Sequence, residues 1–134
     1  MSVKTGVWID HRMAVIVDIS DKGEKIRQLR SNVEKQHGRT GGVRSVTSYE
    51  SQLKTADDRH EKEFTGHLNV FYDKVLAATR DAESILLMGP GEAKGELKKR
   101  LEKNHLGERI ADVITVDKLT FSQVAAKVRA YFLI

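Results

Sequence analysis

Residues 37–45 read HGRTGGVRS and combine positive charge with two adjacent glycines. From Lys35 to Tyr49 the chain has basic side chains and no acidic one, a composition that favours contact with a polyanion. Ordering a glycine pair costs more backbone entropy than ordering other residues. The pair therefore indicates a mobile loop or a close approach to the backbone of another molecule. On charge alone, a solvated connector that happens to be basic explains the segment equally well.

A second candidate is the stretch GPGEAK, which follows an apolar run. A glycine-rich turn between a strand and a helix, followed by a lysine, can hold a phosphate at the helix N-terminus. Gly89, Gly91 and Lys94 are the residues that would do so. Glu92 places negative charge at the same position, and the motif is neither a Walker nor a dinucleotide fingerprint. A structural tight turn is the favoured interpretation.

Metal chemistry finds little support in the sequence. The chain has no cysteine, which excludes disulfides, thiolate metal sites and cysteine nucleophiles. His60 and His67 lie two turns apart on a predicted helix, but zinc sites on one helix usually need closer spacing and further ligands. We therefore predict no metal site and no cofactor.

The totals describe an ordinary globular chain. Its 134 residues predict a single domain over 1–134, and its net charge of +4 favours polyanionic partners without requiring one. The N-terminal sequence lacks the apolar region of a signal peptide, and no apolar run reaches the length of a membrane span. We expect a soluble, cytoplasmic protein that does not bind membranes.

Three β-strands are predicted at the start of the chain. Residues 6–10 and 13–19 are β-branched and apolar and are separated by two polar residues, which indicates a hairpin. Residues 24–31 alternate more weakly and predict an edge strand. Residues 32–56 are polar and have no sustained period, so they predict a long basic, glycine-bearing loop. Loops of this length in compact domains are usually functional or disordered.

Helices and strands then alternate. Apolar residues at helical spacing predict a long helix over 57–79. The run SILLMG at 84–89 predicts a strand covered on both faces. A helix should follow Pro90, with Gly107 as its C-cap.

The last elements are a strand over 110–116 and a final helix. Thr120 and Gln123 resemble a capping box at the start of that helix, and Phe121 is the first residue of its predicted buried stripe. The resulting order, βββαβαβα, predicts an α/β fold. Its mixed five-stranded sheet would have three antiparallel strands followed by two parallel ones, with helices on its faces.

This order of elements, together with several motifs, resembles the middle domain of the archaeal and eukaryotic class I peptide-release factors and the related domain of Pelota. The motifs are the meander GVWIDHRMAVIVDISDKGEKIRQLRS, the basic loop EKQHGRTGGVRS, the long helix and LLMGPGEAKGELKK. The resemblance covers nearly the whole chain and implies a ribonuclease H-like three-layer fold. It also implies a stand-alone relative of bacterial type that functions in translation or ribosome rescue and binds the ribosome, rRNA or tRNA.

In release factors, the loop after the third strand reads roughly His-Gly-Arg-Gly-Gly-Gln-Ser, and its Gly-Gly-Gln tip promotes hydrolysis of peptidyl-tRNA. The match to this loop implies a catalytic loop tip formed by Gly41, Gly42 and Val43. It also implies a set of RNA-binding residues, namely Lys35, His37, Gly38, Arg39 and Arg44.

Two departures from the family pattern bear on hydrolysis. Thr40 is an extra residue before the glycine pair, and Val43 stands where the family has glutamine. The backbone N–H of Val43 can still donate to a developing oxyanion, but its side chain can hydrogen-bond neither water nor the tRNA ribose. Loss of one positioned donor commonly lowers a rate by roughly a hundred- to a thousand-fold. The sequence therefore argues against efficient hydrolysis and leaves open whether the protein is an enzyme.

Two alternatives stand beside the translation hypothesis. The first is a non-catalytic RNA- or protein-interaction domain that uses the loop as a basic arm; the basic run Lys98, Lys99, Arg100 and Lys103 is then either a recruiting face or a solvated helix face. The second, a remote one, is a metal-dependent nuclease using Asp10 and Asp18 on the first two strands. The sequence identifies no protein partner.

Overall fold

The computed structural model describes residues 3–31 and 66–133, and within them the order of elements is βββαβαβα. The strands are β1 (Lys4–Ile9), β2 (Met13–Ser20), β3 (Gly23–Arg30), β4 (Ser84–Gly89) and β5 (Ile110–Thr115). The helices are α1 (residues 66–79), α2 (Ala93–Lys103) and α3 (Phe121–Phe132), with a short 3₁₀ turn at Gly107–Arg109. The predicted loop at 32–56 and the first part of the predicted helix at 57–79 lie outside the described residues.

The strands form one five-stranded sheet in the order β3-β2-β1-β4-β5. The neighbours β1–β2 and β2–β3 are antiparallel, whereas β1–β4 and β4–β5 are parallel. The predicted mixed sheet and the edge position of β3 are thus confirmed. The run SILLMG is β4, an interior strand with five buried residues in succession, as its apolar sequence indicates.

Helices cover both faces of the sheet, which gives the predicted three-layer, ribonuclease H-like arrangement. Alternate residues of each strand point to opposite faces, so Val7 and Ile9 pack under α1 and α2. Trp8 packs on the other face, under α3. Gly6 lies on the α3 side, where an added Cβ would lie 2.1 Å from Val128 Cγ2. Glycine at this position therefore lets α3 approach the sheet closely.

Two details of the helix ends differ from prediction. Gly107 is not the C-cap of α2, because that helix ends at Lys103 with Asn104 as its C-cap, and the left-handed position is taken by His105 with φ 65°. The capping box of Thr120 and Gln123 is present. However, Phe121 is 43% exposed and does not belong to the buried stripe, because it begins the helix and the stripe covers the sheet only from the next turn. No helix in the described ranges combines the length and hydropathy needed to cross a membrane.

Candidate functional site

The chain leaves β3 and enters the GPGEAK turn at the same edge of the sheet. Because β3 is antiparallel to β2, and β2 to β1, the carboxyl ends of β1, β3, β4 and β5 meet there. We call this side of the molecule the carboxyl edge; it is marked by Ile9, Arg30, Gly89 and Thr115. In open α/β sheets, ligands bind outside the carboxyl ends of the strands.

The turn between β1 and β2 forms one part of this edge. Asp10 Oδ1 accepts hydrogen bonds from the backbone N–H groups of Arg12 and Met13, both at 2.8 Å. The backbone N–H of Asp10 donates to the Met13 carbonyl at 3.0 Å. An aspartate that bonds the backbone two or three residues later holds a tight turn, so the carboxylate of Asp10 has a structural role here.

Ser31, the last described residue before the predicted loop, is attached to this turn. Its side chain is buried, and its hydroxyl donates to the carbonyl oxygen of His11 at 2.6 Å. Its backbone N–H donates to the carbonyl oxygen of Arg12 at 3.0 Å. The chain therefore leaves β3 from a fixed point above the β1–β2 turn.

Glu96 joins three elements beside this point. The Tyr72 hydroxyl on α1 donates to Glu96 Oε1 on α2, and the same oxygen lies 3.1 Å from His11 Nε2 in the β1–β2 turn. Burial first, then the hydrogen bond to Glu96 and its charge, raises the pKa of the Tyr72 phenol well above its usual value. Tyr72 consequently stays protonated and acts as a hydrogen-bond donor, which excludes it as a general base near neutral pH.

The GPGEAK turn packs against the end of β1. A Cβ added to Gly89 would lie 2.2 Å from the carbonyl oxygen of Ile9, so the backbones approach too closely for any side chain. Glu92 occupies the N-cap position of α2. The Lys94 ammonium donates to the carbonyl oxygen of Gly91 at 2.6 Å. The absence of a side chain at Gly89 is thus explained by packing, whereas an added Cβ at Gly91 meets no atom within 4 Å.

The two carboxylates considered for a nuclease lie apart. Asp10 belongs to the β1–β2 turn, whereas Asp18 lies near the other end of β2, where it accepts 2.7 Å hydrogen bonds from Thr5 and Arg27. Asp10 lies beside Met13, to whose carbonyl its backbone N–H donates. Five residues of strand, about 17 Å, separate Met13 from Asp18. Two carboxylates at this separation cannot share a pair of metal ions. Over residues 3–31 and 66–133, no three His, Cys, Asp or Glu side chains are grouped closely enough to hold a metal.

The structure describes only part of the predicted site. Lys35, His37, Gly38, Arg39, Gly41, Gly42, Val43 and Arg44 lie outside the described residues. Gly89, Gly91 and Lys94 lie together at the carboxyl edge, where β3 also ends. No local sequence pattern indicates the contacts among Ser31, His11, Tyr72 and Glu96, because the residues of each contact lie at least 20 positions apart in the chain.

The fold is similar to that of two archaeal Pelota proteins of known structure. The chain aligns over 96% of its length with the Pelota protein of Thermoplasma acidophilum, at a TM-score of 0.59 and 16% sequence identity. It aligns over 97% with Pelota of Archaeoglobus fulgidus, at a TM-score of 0.50 and 14% identity. These alignments span 32% and 35% of the respective Pelota chains.

An archaeal translation termination factor, aRF1, aligns with 98% of this chain at a TM-score of 0.41 and 14% identity, a level that does not establish a shared fold. No model of a known protein family matches the sequence, and no curated protein matches it either. The chain thus has the fold of about one third of a Pelota protein, as the resemblance in sequence motifs predicts.

Proposed function

We propose that this protein binds the ribosome in the cytoplasm and acts in translation, through the segment that follows β3. The observation that carries the proposal is the Pelota-like fold over 96% of the chain. Ser31 fixes the start of that segment at the carboxyl edge through its 2.6 Å bond to His11. The basic residues Lys35, Arg39 and Arg44 supply the charge for contacts with rRNA or tRNA phosphates.

Ribosome rescue is the proposed setting. The resemblance in sequence motifs implies it, and the fold shared with Pelota agrees with that resemblance. In this setting Gly41 and Gly42 allow the segment to bend within an RNA-lined site. Val43 removes the side-chain donor that the release-factor loop provides, so binding without efficient peptidyl-tRNA hydrolysis is expected. Converting Val43→Gln, with and without deletion of Thr40, should raise peptide release if the segment reaches the catalytic centre. No change in either variant would exclude hydrolysis as the mechanism.

Co-sedimentation with ribosomes across a salt series tests the proposal directly. The wild-type protein should pellet at low salt, and an Arg39→Ala/Arg44→Ala variant should pellet less and with a weaker salt dependence. A Lys22→Ala/Lys127→Ala variant is the matched control. It removes the same charge from two exposed positions, one in the turn between β2 and β3 and one on α3. Failure of the wild type to pellet at low salt would contradict the proposal.

A non-catalytic interaction domain is the second candidate, and Val43 is the residue that favours it. This candidate predicts that the two arginine substitutions weaken binding whereas Gly41→Ala has little effect. A catalytic loop predicts instead that Gly41→Ala has the larger effect, because the glycine pair would then have to adopt one reactive geometry. Comparing binding and peptide release for the same two variants separates the candidates.

A further inference from the structure

The outward face of α2 is positively charged. Ala93, Leu97 and Leu101 are buried against the sheet. At 100° per residue, the opposite side of the helix presents lysines and one acid. These outward residues are Lys98, Lys99, Glu102 and Lys103. We call this set of residues the α2 lysine face.

The lysines of this face are not used within the described structure. Over residues 3–31 and 66–133, no carboxylate lies within ion-pair distance of Lys98, Lys99 or Lys103. Arg100, which is adjacent in sequence, is used differently: its guanidinium binds Asp73 and Asn69 on α1, each at 2.6 Å. The basic run in the sequence therefore separates into one arginine that joins two helices and a set of lysines that faces solvent.

We infer that the α2 lysine face binds the phosphate backbone of RNA. An amphipathic helix enters an anionic membrane by burying apolar side chains beside its lysines, and a protein interface is usually centred on exposed aromatic or apolar residues. The outward side of α2 has neither, because its apolar residues are buried and its other outward residue besides the charges is Gly95. A polyanion held by charge alone is the partner that fits this surface.

The position of the face agrees with the proposed function, on which the ribosomal part of this inference rests. The first turn of α2 follows the GPGEAK turn at the carboxyl edge, next to the point where Ser31 fixes the segment after β3. The ten residues from Lys94 to Lys103 extend about 14 Å along the helix axis away from that edge. An RNA bound at the carboxyl edge can therefore continue along α2.

The experiment measures the binding of fluorescein-labelled tRNA and of ribosomes over a range of KCl concentrations. The test variant is Lys98→Gln/Lys99→Gln/Lys103→Gln, in which glutamine keeps the helix propensity of lysine. The control is Lys22→Gln/Lys74→Gln/Lys127→Gln, which removes the same charge from three other elements at exposed positions. We expect the slope of log affinity against log salt to fall by about 2 to 3 in the test variant and by less than half of that in the control.

The outcomes separate this inference from the proposed function. If the wild type binds tRNA but not ribosomes, with a slope reduced in the test variant alone, the lysine face is supported and the proposed function is contradicted. An unchanged slope in the test variant, or equal losses in both variants, overturns the inference even if ribosomes are bound. Binding to vesicles of phosphatidylserine and phosphatidylcholine without binding to either RNA also overturns it. Circular dichroism of each variant confirms that the fold is kept.

Discussion

The Ser31 hydroxyl donates a 2.6 Å hydrogen bond to the carbonyl oxygen of His11. This bond joins the residue that follows β3 to the turn between β1 and β2, and Ser31 is only 4% exposed. The same turn is held through the His11 side chain by Glu96 on α2. The position of Ser31, the last described residue before the predicted loop, is therefore fixed by contacts to parts of the chain that are remote in sequence.

Replacing Ser31→Ala should lower the free energy of unfolding by about 1 kcal/mol, because a buried hydrogen bond is lost. Urea denaturation with an unchanged m-value would measure the effect. Ser20→Ala is the control: the Ser20 hydroxyl accepts a 3.2 Å bond from the Lys22 N–H in an exposed turn, and its loss should change stability by about 0.5 kcal/mol or less. Equal effects of the two substitutions would contradict a fixing role for Ser31.

The two glycines of the GPGEAK turn should respond differently to alanine. Gly89→Ala places a Cβ 2.2 Å from a backbone oxygen of Ile9, and a backbone atom cannot move aside, so we expect a loss of about 1–3 kcal/mol or more in folding stability. Gly91→Ala meets no atom within 4 Å and should leave stability unchanged. Thermal denaturation of the two variants checks this difference.

The same pair of variants also tests the phosphate-binding prediction for this turn. If the turn holds a phosphate through a close backbone approach, Gly91→Ala should weaken tRNA binding while keeping wild-type stability. Wild-type affinity in Gly91→Ala would leave the turn with a structural role alone.

The contact between Gly6 and Val128 predicts a non-additive pair. Gly6→Ala adds a Cβ 2.1 Å from Val128 Cγ2 and should destabilise the protein by about 1–3 kcal/mol. Val128→Ala removes the obstructing methyl groups from a fully buried site and is destabilising by itself. In the double variant the cost should be smaller than the sum of the single costs, because the clash is removed. Additive costs, measured by urea denaturation, would show that α3 is not held close to β1 by Gly6.

Features that depend on neighbouring residues could be predicted from the sequence, whereas contacts between residues far apart in the chain could not. The strand over 84–89 was predicted with the bounds that the structure has, because an apolar run bounded by turn residues is a local signal. The β1–β2 hairpin and the capping box of α3 are equally local. In contrast, His11 and Glu96 are 85 residues apart, and no local pattern indicates that the two side chains meet.

The basic run of α2 illustrates the same limit. The sequence places Lys98, Lys99 and Arg100 together, but successive residues of a helix point 100° apart. Only the packing of α1 beside α2 determines that Arg100 binds Asp73 while the lysines face outward. The composition of the face was thus predictable, whereas its separation from Arg100 required the tertiary structure.

The buried phenol of Tyr72 predicts a specific dependence of stability on pH. Its pKa is raised in the folded protein by burial and by Glu96, whereas in the unfolded chain it lies near 10. The stabilisation that results is fully present below about pH 10 and is lost as the pH rises above that value, because the unfolded chain then releases a proton that the folded protein keeps. Tyr72→Phe removes this proton and should be less stable at pH 8, yet it should lose less stability than the wild type between about pH 9 and 11. Urea denaturation at each pH measures both changes.

Glu96→Gln is the companion variant, because it keeps a hydrogen-bond acceptor for Tyr72 but removes the negative charge. Burial is the largest cause of the raised pKa and is unchanged in this variant, so its loss of stability at alkaline pH should lie between those of the wild type and Tyr72→Phe. Identical alkaline profiles for the wild type and Tyr72→Phe would contradict a buried, protonated Tyr72. A Glu96→Gln profile equal to that of Tyr72→Phe would mean that the charge of Glu96, rather than burial, holds the proton on the phenol.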